Sequence, residues 1–482
     1  MKKYYEYIAF IILGIVFICL PNQNANIDSW YYAACVKHGL NLINSHHLLF
    51  NIWGSVFHEF LHFFNPAISA IQSLNLLNAI SATLSLLVLN QLLKSLGQNK
   101  EGALFLSLSA GVCFGFMRFA TDAETYMLPI LFSILSTYYY FQPKRYLFIG
   151  LSAFFSVMAV CTHQLHIWWT LAIYIGVLLN REFTKNNKIF YTSILFTGVI
   201  LYFLVYYFSS NNYTFLNFIL GEYQKGNAGI DFSLKALILT FINSIRTVFQ
   251  VHGLIYHFTF KHIIVTLIVI FLEIFLLGLL FLKRKQLIET KNLNNSSSSK
   301  NIFLIAIVLH LAFAFISSGN AEFMAMLPLL LVAYIATSYK LKIKKTAFLI
   351  PLVIFIWNVF FGLIPLRFEN TNQVNAQTNY TQKHQEDYFI WSNKPLVENI
   401  LNYQNGFYKT YHFIKTDSIP SLLSKGKKVY TDLKNEQTNY SREAILNNDK
   451  KAMNLNDFDL YKVDSFMNLY GINYIYQIKA RE

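Results

Sequence analysis

The feature that most constrains this chain is the recurrence of apolar stretches close to bilayer-spanning length. After Met1 to Leu20 they follow at roughly 67–93, 103–119, 125–141, 146–161, 165–179, 189–208, 263–282, 302–316, 323–338 and 347–364. Against a lower limit of ~17 residues per span, the pattern predicts about eleven transmembrane helices. Hydrophobic residues make up 55% of the 482 and charged residues 13%, which leaves more apolar surface than a soluble core of this length buries. The expected class is an α-helical polytopic membrane protein.

Lys2 and Lys3 precede the first apolar run, and Pro21-Asn22-Gln23 follows it in place of a small-residue cleavage site. The run therefore reads as a retained helix and not as a cleaved signal peptide. The formal net charge of +14 does not point to nucleic acid, because the cations lie in short clusters between apolar runs. Cys19, Cys35, Cys113 and Cys161 show no CxxC spacing, which argues against a metal knuckle or a disulfide framework.

Charge asymmetry between connections predicts orientation. Lys2-Lys3, Lys94 with Lys100, Lys144-Arg145, Arg181 with Lys185 and Lys188, Lys283 to Lys300, and Lys340 to Lys345 fall in one alternating set of ends. The other short connections carry Lys37 and little else. Cytoplasmic loops hold the excess of lysine and arginine, so the N-terminus is expected in the cytoplasm of an inner-membrane protein and Asp28 outside. Asp122, Glu124, His163, His166 and Glu322 sort to the same outer side, where a shared cavity could form.

Two outer loops are expected, at 21–65 and 211–261. In the second, turn signals from Gly221 to Gly229 precede an apolar stretch, Phe232 to Phe260, that carries Asn243, Arg246, Gln250 and His252. Those residues are too polar for a span, so the stretch reads as an interfacial or re-entrant helix. Asn294 to Ser299 reads as a flexible linker. After residue 364 the composition turns polar, and pieces such as Lys428 to Thr431 and Ile472 to Ile478 suggest strands, with a helix near Asp387 to Tyr403. The expected domains are a transmembrane part, 1–364, and a small C-terminal extracytoplasmic α/β domain, 365–482.

Several residues carry chemistry. Asp28, in Asp28-Ser29-Trp30-Tyr31-Tyr32, could be a general base with its pKa raised by partial burial beside Trp30 and Tyr31, or a helix N-cap. Asp122 and Glu124 sit in a short junction after Arg118. They could share a divalent cation, hold a sugar hydroxyl or divide base and orienting roles; otherwise Asp122 pairs with Arg118 and Glu124 favours the next helix start. His163 and His166 are three residues apart, one helix face, and could bind phosphate; no carboxylate or cysteine completes a zinc motif. Glu322 is costly at its depth unless it faces water or a partner. Arg246, Lys225 and Lys235 are outer cations suited to a lipid phosphate or to snorkelling at the interface.

Across Met1 to Ile364 the chain resembles the GT-C glycosyltransferases, which include protein O-mannosyltransferases and aminoarabinose transferases. The resemblance rests on Asp28-Ser29-Trp30-Tyr31-Tyr32, on Asp122-Ala123-Glu124-Thr125-Tyr126 and on Asn320-Ala321-Glu322 ahead of Leu327-Pro328. It implies transfer of a sugar from a polyprenyl-phosphate-linked donor to an acceptor, whether lipid, glycan or protein, at the outer face. Asp28 would be the base or acceptor-orienting group and Glu124 or Asp122 the second acid. Tyr31, Arg118, His163, His166, Arg246 and Glu322 are the candidate substrate contacts. Ser29 stands where many relatives carry a second acid, so the resemblance does not extend to a metal held by that loop, and a divalent cation stays an open choice. The competing readings are an envelope polysaccharide polymerase or ligase, expected to use outer-loop arginines, and a lipid-linked glycan transporter, expected to place charges mid-membrane on broken helices.

Overall fold

The computed structural model describes residues 5–209, 214–224, 232–251, 253–284, 287–292, 297–433, 455 and 457–481. It divides into two compact units, one formed by Met1–Asn22 with Asn41–Ile364, the other by Gln23–Leu40 with Pro365–Glu482.

The first unit is helical. Among the described residues, five helices are long and apolar enough to cross a membrane: Ala70–Ser95, Lys185–Phe208, Ile263–Lys283, Ala321–Ser338 and Lys345–Phe368. The last continues past Ile364 into the other unit. Tyr5–Cys19, Met127–Tyr140, Tyr146–Thr162, Gln164–Leu179 and Asn301–Ile316 are apolar but shorter. Burial separates their roles. In Ala321–Ser338, 72% of the apolar window is inside the protein, whereas in Lys185–Phe208 and Ile263–Lys283 the share is 17%. A helix that is apolar all round yet mostly uncovered suits lipid contact, so those two are peripheral and the 70–95 and 321–338 helices are central.

The stretch expected as one span at 103–119 is two helices, Lys100–Gly111 and Phe114–Ala120, bent by 72°. A break frees carbonyls that the helix would otherwise satisfy. Asn358 answers for one of them, since its Nδ2 donates to Val112 O at 2.8 Å and to Val248 O at 2.8 Å while its Oδ1 accepts from Gln250 N at 2.9 Å. The bend turns the short helix so that its C-terminal end leads into the Asp122 to Tyr126 junction. The stretch expected as an interfacial helix is also divided, into Leu234–Val248 and Leu254–Lys261, neither of spanning length; His252 between them lies outside the described residues.

Just before the stretch expected as a linker, 294–299, stands a strand. β1 (Ile288–Asn292) pairs antiparallel with β2 (Tyr339–Ile343), and Ser297 already belongs to the helix that ends at Ile316. Asn294, Asn295 and Ser296 lie outside the described residues, as do Lys225 and 226–231 of the outer segment.

The second unit is built on five strands: β3 (Tyr388–Ile390), β4 (His412–Phe413), β5 (Val429–Thr431), β6 (Phe458–Asn468) and β7 (Gly471–Ala480), in the order β4-β3-β5-β7-β6. β3 is parallel to β4 and β5, while β7 is antiparallel to β5 and β6. The helix Lys394–Asn405 covers one face through Val397, Ile400 and Leu401, packed on Phe389, Tyr430 and Ile475. Helix Ile27–His38, which the sequence assigns to the membrane part, packs on that helix: Trp30 meets the Tyr403 ring edge-on at 5.1 Å and Lys37 Nζ donates to Tyr403 O at 2.8 Å.

Candidate functional site

The polar centre of the first unit is the junction between Phe114–Ala120 and Met127–Tyr140. Asp122 is fully buried and Glu124 is 2% exposed. A buried turn must find partners for its backbone. Asn78, on the 70–95 helix, supplies them: its Nδ2 donates to Asp122 O at 2.7 Å and to Glu124 O at 2.5 Å. Asp122 Oδ2 accepts from Asn22 Nδ2 at 2.8 Å and Oδ1 from its neighbour Ala123 N at 2.9 Å, and Asn22 N donates to Thr121 O at 2.7 Å. The Arg118 guanidinium lies over the Phe119 ring at 5.3 Å.

Tyr126 closes the junction. Its hydroxyl donates to Glu322 Oε2 at 3.3 Å, and its ring packs at 4.3 Å on Phe119 and 5.0 Å on His163. Glu322 sits in a 3-10 turn, Ala321–Met324, whose start is capped by Asn320. Beside it, Gly319 at φ +70 accepts from Asn243 Nδ2 at 2.6 Å, and Asn243 Oδ1 in turn accepts from Arg246 Nη1 at 2.9 Å. Arg246 is therefore held on the chain that carries Glu322.

His163 and His166 do not share a helix face. His163 ends the helix Tyr146–Thr162 in extended conformation, φ −148 and ψ 117, and its Nδ1 caps the next turn by accepting from Leu165 N at 3.1 Å. The helical spacing rule does not apply across that break. His163 meets His47 edge-on at 4.4 Å, while His166 Nδ1 bonds Ser133 Oγ at 2.7 Å. His46 and His47 are brought here by two backbone bonds, Gln164 N to His46 O at 3.0 Å and Leu49 N to Cys161 O at 3.0 Å. His46 Nδ1 also bonds Gln164 Oε1 at 2.8 Å. Buried His310 keeps both ring nitrogens without a hydrogen-bond partner among the described residues.

Gln164 and Cys161 also line a cleft of about 330 Å³ formed with Val157, Val160, Tyr202 and Phe215. Its wall is almost wholly apolar and it lies against the lipid-facing 185–208 helix. Gln164 on this wall bonds His46, and contacts run on from His46 through His47 and His163 to Tyr126 and Glu322.

Asp28 and Tyr31 belong to the second unit. Asn26 caps their helix, with Oδ1 accepting from Ser29 N at 3.0 Å, so Asp28 stands in the first turn as a dipole-complementing acid and not as the cap. It is exposed, so the burial expected to raise its pKa is missing. The Tyr31 ring lies 6.3 Å from Phe407. Among the described residues no three His, Cys, Asp or Glu side chains converge as a metal site.

No family model matches the chain, and no curated protein matches it. Among solved structures, it is similar to the S. cerevisiae protein O-mannosyltransferase Pmt1-Pmt2 complex bound to the sugar donor, at 11% identity and a TM-score of 0.35 over 52% of this chain. The match spans 37% of that chain, well under two thirds of its length. It is also similar to ArnT from Cupriavidus metallidurans in the apo state, at 10% identity and a TM-score of 0.44 over 99% of this chain and 98% of that one. Both are GT-C enzymes, the family whose resemblance the sequence carries. At these identities and scores neither match carries an argument about this chain.

Proposed function

We propose that this chain is a membrane glycosyltransferase that moves a sugar from a polyprenyl-phosphate-linked donor to an acceptor at the extracytoplasmic face. The observation that carries the reading is the apolar cleft of about 330 Å³ lined by Gln164, whose side chain bonds His46 of the cluster with His47 and His163. A lipid-linked sugar has both parts to match: a hydrocarbon tail that stays among apolar walls and an anionic head that needs N–H donors.

In the proposed reaction Asp28 takes the proton of the acceptor hydroxyl as its oxygen bonds the anomeric carbon. The bond from that carbon to the phosphate oxygen breaks, and its electron pair leaves with the polyprenyl phosphate. Arg246, His163 and His166 are assigned to the departing phosphate, Glu322, Tyr31 and Arg118 to the sugar and acceptor, and Glu124 or Asp122 to the second acid.

Purified protein given radiolabelled polyprenyl-phosphate sugars and cell-envelope acceptors is expected to transfer label, with Asp28→Asn and Glu124→Gln each at least a hundredfold slower. Full transfer by both variants would remove the assigned acids. A cysteine placed at Ser318 is expected to label from outside intact cells, and labelling only after permeabilisation would reverse the topology.

The transporter reading also has support. The 100–120 pair is a broken helix, and Glu273, 5% exposed within the 263–283 span, has neither carboxylate oxygen hydrogen-bonded among the described residues. Movement of labelled donor across vesicles without any glycosylated product would favour it over transfer.

A further inference from the structure

The ribbon of β1 and β2 has two unlike faces. Residues directly opposite in an antiparallel pair share a face, so Glu289 with Lys342 and Lys291 with Lys340 lie on one side, and Ile288 with Ile343 and Thr290 with Leu341 on the other. The second side is fastened to the helices through β2, while Ile288 and Thr290 of β1 are exposed. Leu341 is 4% exposed, its N–H donates to Gln98 Oε1 at 3.1 Å, and Gln98 Nε2 donates to Ala336 O and Tyr339 O. The first side is open: Lys291, Lys340, Lys342 and Lys344 are all exposed. Its one acid, Glu289, reaches Lys342 at 2.9 Å and Lys344 at 3.5 Å and leaves the face strongly cationic.

Chain length fixes the depth of this face. β2 is the whole connection between the candidate spans Ala321–Ser338 and Lys345–Phe368, and β1 follows the Ile263–Lys283 span after a short connection. An extended link at about 3.3 Å per residue between two helices entering the same side rises by no more than about 10 Å. The polar headgroup layer is roughly 5–8 Å deep on each side of the hydrocarbon. The ribbon is thereby held in or just above that layer, and exposed Tyr339 at its edge suits an interfacial aromatic.

We propose that the open face of this ribbon binds the headgroups of acidic phospholipids in the surrounding bilayer. The lysine spacing follows the sheet, about 5 Å between strands and 7 Å along them, so the face presents a flat grid of ammonium groups to a flat layer of phosphodiesters. Glu289 competes for two of the same lysines and tempers the affinity. The binding surface is independent of the transferase reading, because it uses no residue assigned to that chemistry.

The test uses the full chain in detergent, titrated with phosphatidylglycerol or phosphatidylcholine, with melting temperature and retained lipid in native mass spectra as readouts. Phosphatidylglycerol is expected to raise the melting temperature and stay bound, phosphatidylcholine is not, and high salt should erase the difference. Lys340→Gln/Lys342→Gln/Lys344→Gln should weaken phosphatidylglycerol binding at least tenfold, at roughly fivefold for each lysine lost at a bilayer surface. Glu289→Gln should strengthen it severalfold. Equal effects of the two lipids, wild-type affinity in the triple variant, or the same shift from inorganic phosphate alone would overturn the proposal. Should the triple variant fail to fold, unchanged affinity in Glu289→Gln overturns it on its own.

Discussion

The hydroxyl of Tyr126 reaches Glu322 Oε2 at 3.3 Å, joining two stretches that are 196 residues apart. Tyr126 comes from the junction that carries Glu124, and Glu322 from the turn that positions Arg246 through Gly319 and Asn243. One phenol therefore couples the two acid-bearing segments of the first unit. Tyr126→Phe keeps the ring against Phe119 and His163 and removes the bond to Glu322. A hydrogen bond to a carboxylate contributes about 1.5–3 kcal/mol when buried, and partly exposed Glu322 puts the expected loss near 1 kcal/mol. Transfer should slow several-fold with the fold intact; a variant that melts and reacts like wild type would show that the contact does not matter.

Asn78 has a larger task, since its amide serves both carbonyls of the buried junction. Asn78→Ala would leave two buried acceptors unsatisfied, at about 1–3 kcal/mol each. The expected result is a drop in melting temperature and loss of transfer together. Asn78→Asp should be worse than alanine, because it sets a carboxylate against the same carbonyls beside Asp122; alanine and aspartate behaving alike would count against this account.

The helices were legible because a bilayer demands continuous apolar length, which one-dimensional pattern displays directly. What the sequence hid was non-local. Ile288–Asn292 reads Ile-Glu-Thr-Lys-Asn, polar enough to pass for linker, and becomes a strand only because β2 lies alongside it. His46 and His47 look like surface residues until Gln164 and Cys161 bond their loop. Helix Ile27–His38 sits between two membrane stretches in the chain, and its packing on Lys394–Asn405 depends on a partner more than 350 residues away. The acids at Asp122 and Glu124 were visible as a short junction; that Asn22 and Asn78 hold it was not.

His47 predicts a pH dependence. Burial, with repulsion from His46 second, pushes its pKa from 6.5 down to about 3. The folded chain keeps the ring neutral while the unfolded chain takes up a proton below about pH 6.5. The stability contribution is therefore complete above that value and is lost progressively as pH falls toward about 3. At ~1.4 kcal/mol per unit the full shift would be near 5 kcal/mol; the residue is only half-buried, so roughly 2 kcal/mol is expected. Melting temperatures at pH 7.5 and 5 should differ more for wild type than for His47→Asn. Equal acid losses in the two proteins would assign the effect elsewhere.

Gly319 allows the tightest approach around the candidate site. It has φ +70, and a Cβ there would stand 2.6 Å from Thr240 N and 2.8 Å from the Leu239 carbonyl carbon, both backbone atoms that cannot swing aside. Gly319→Ala combines a left-handed conformation, costing about 1–2 kcal/mol, with overpacking of about 1–3 kcal/mol. The helix 234–248 must back away to admit the methyl group, which stretches the bond from Asn243 to Gly319 O and releases Arg246 from its anchor. A fall in melting temperature alone would fit any packing defect. The distinguishing result is a rise in KM for the phosphate-bearing donor that Arg246→Lys shares and that adding Gly319→Ala to Arg246→Lys does not enlarge; additive effects would mean that the glycine acts on stability and not through Arg246.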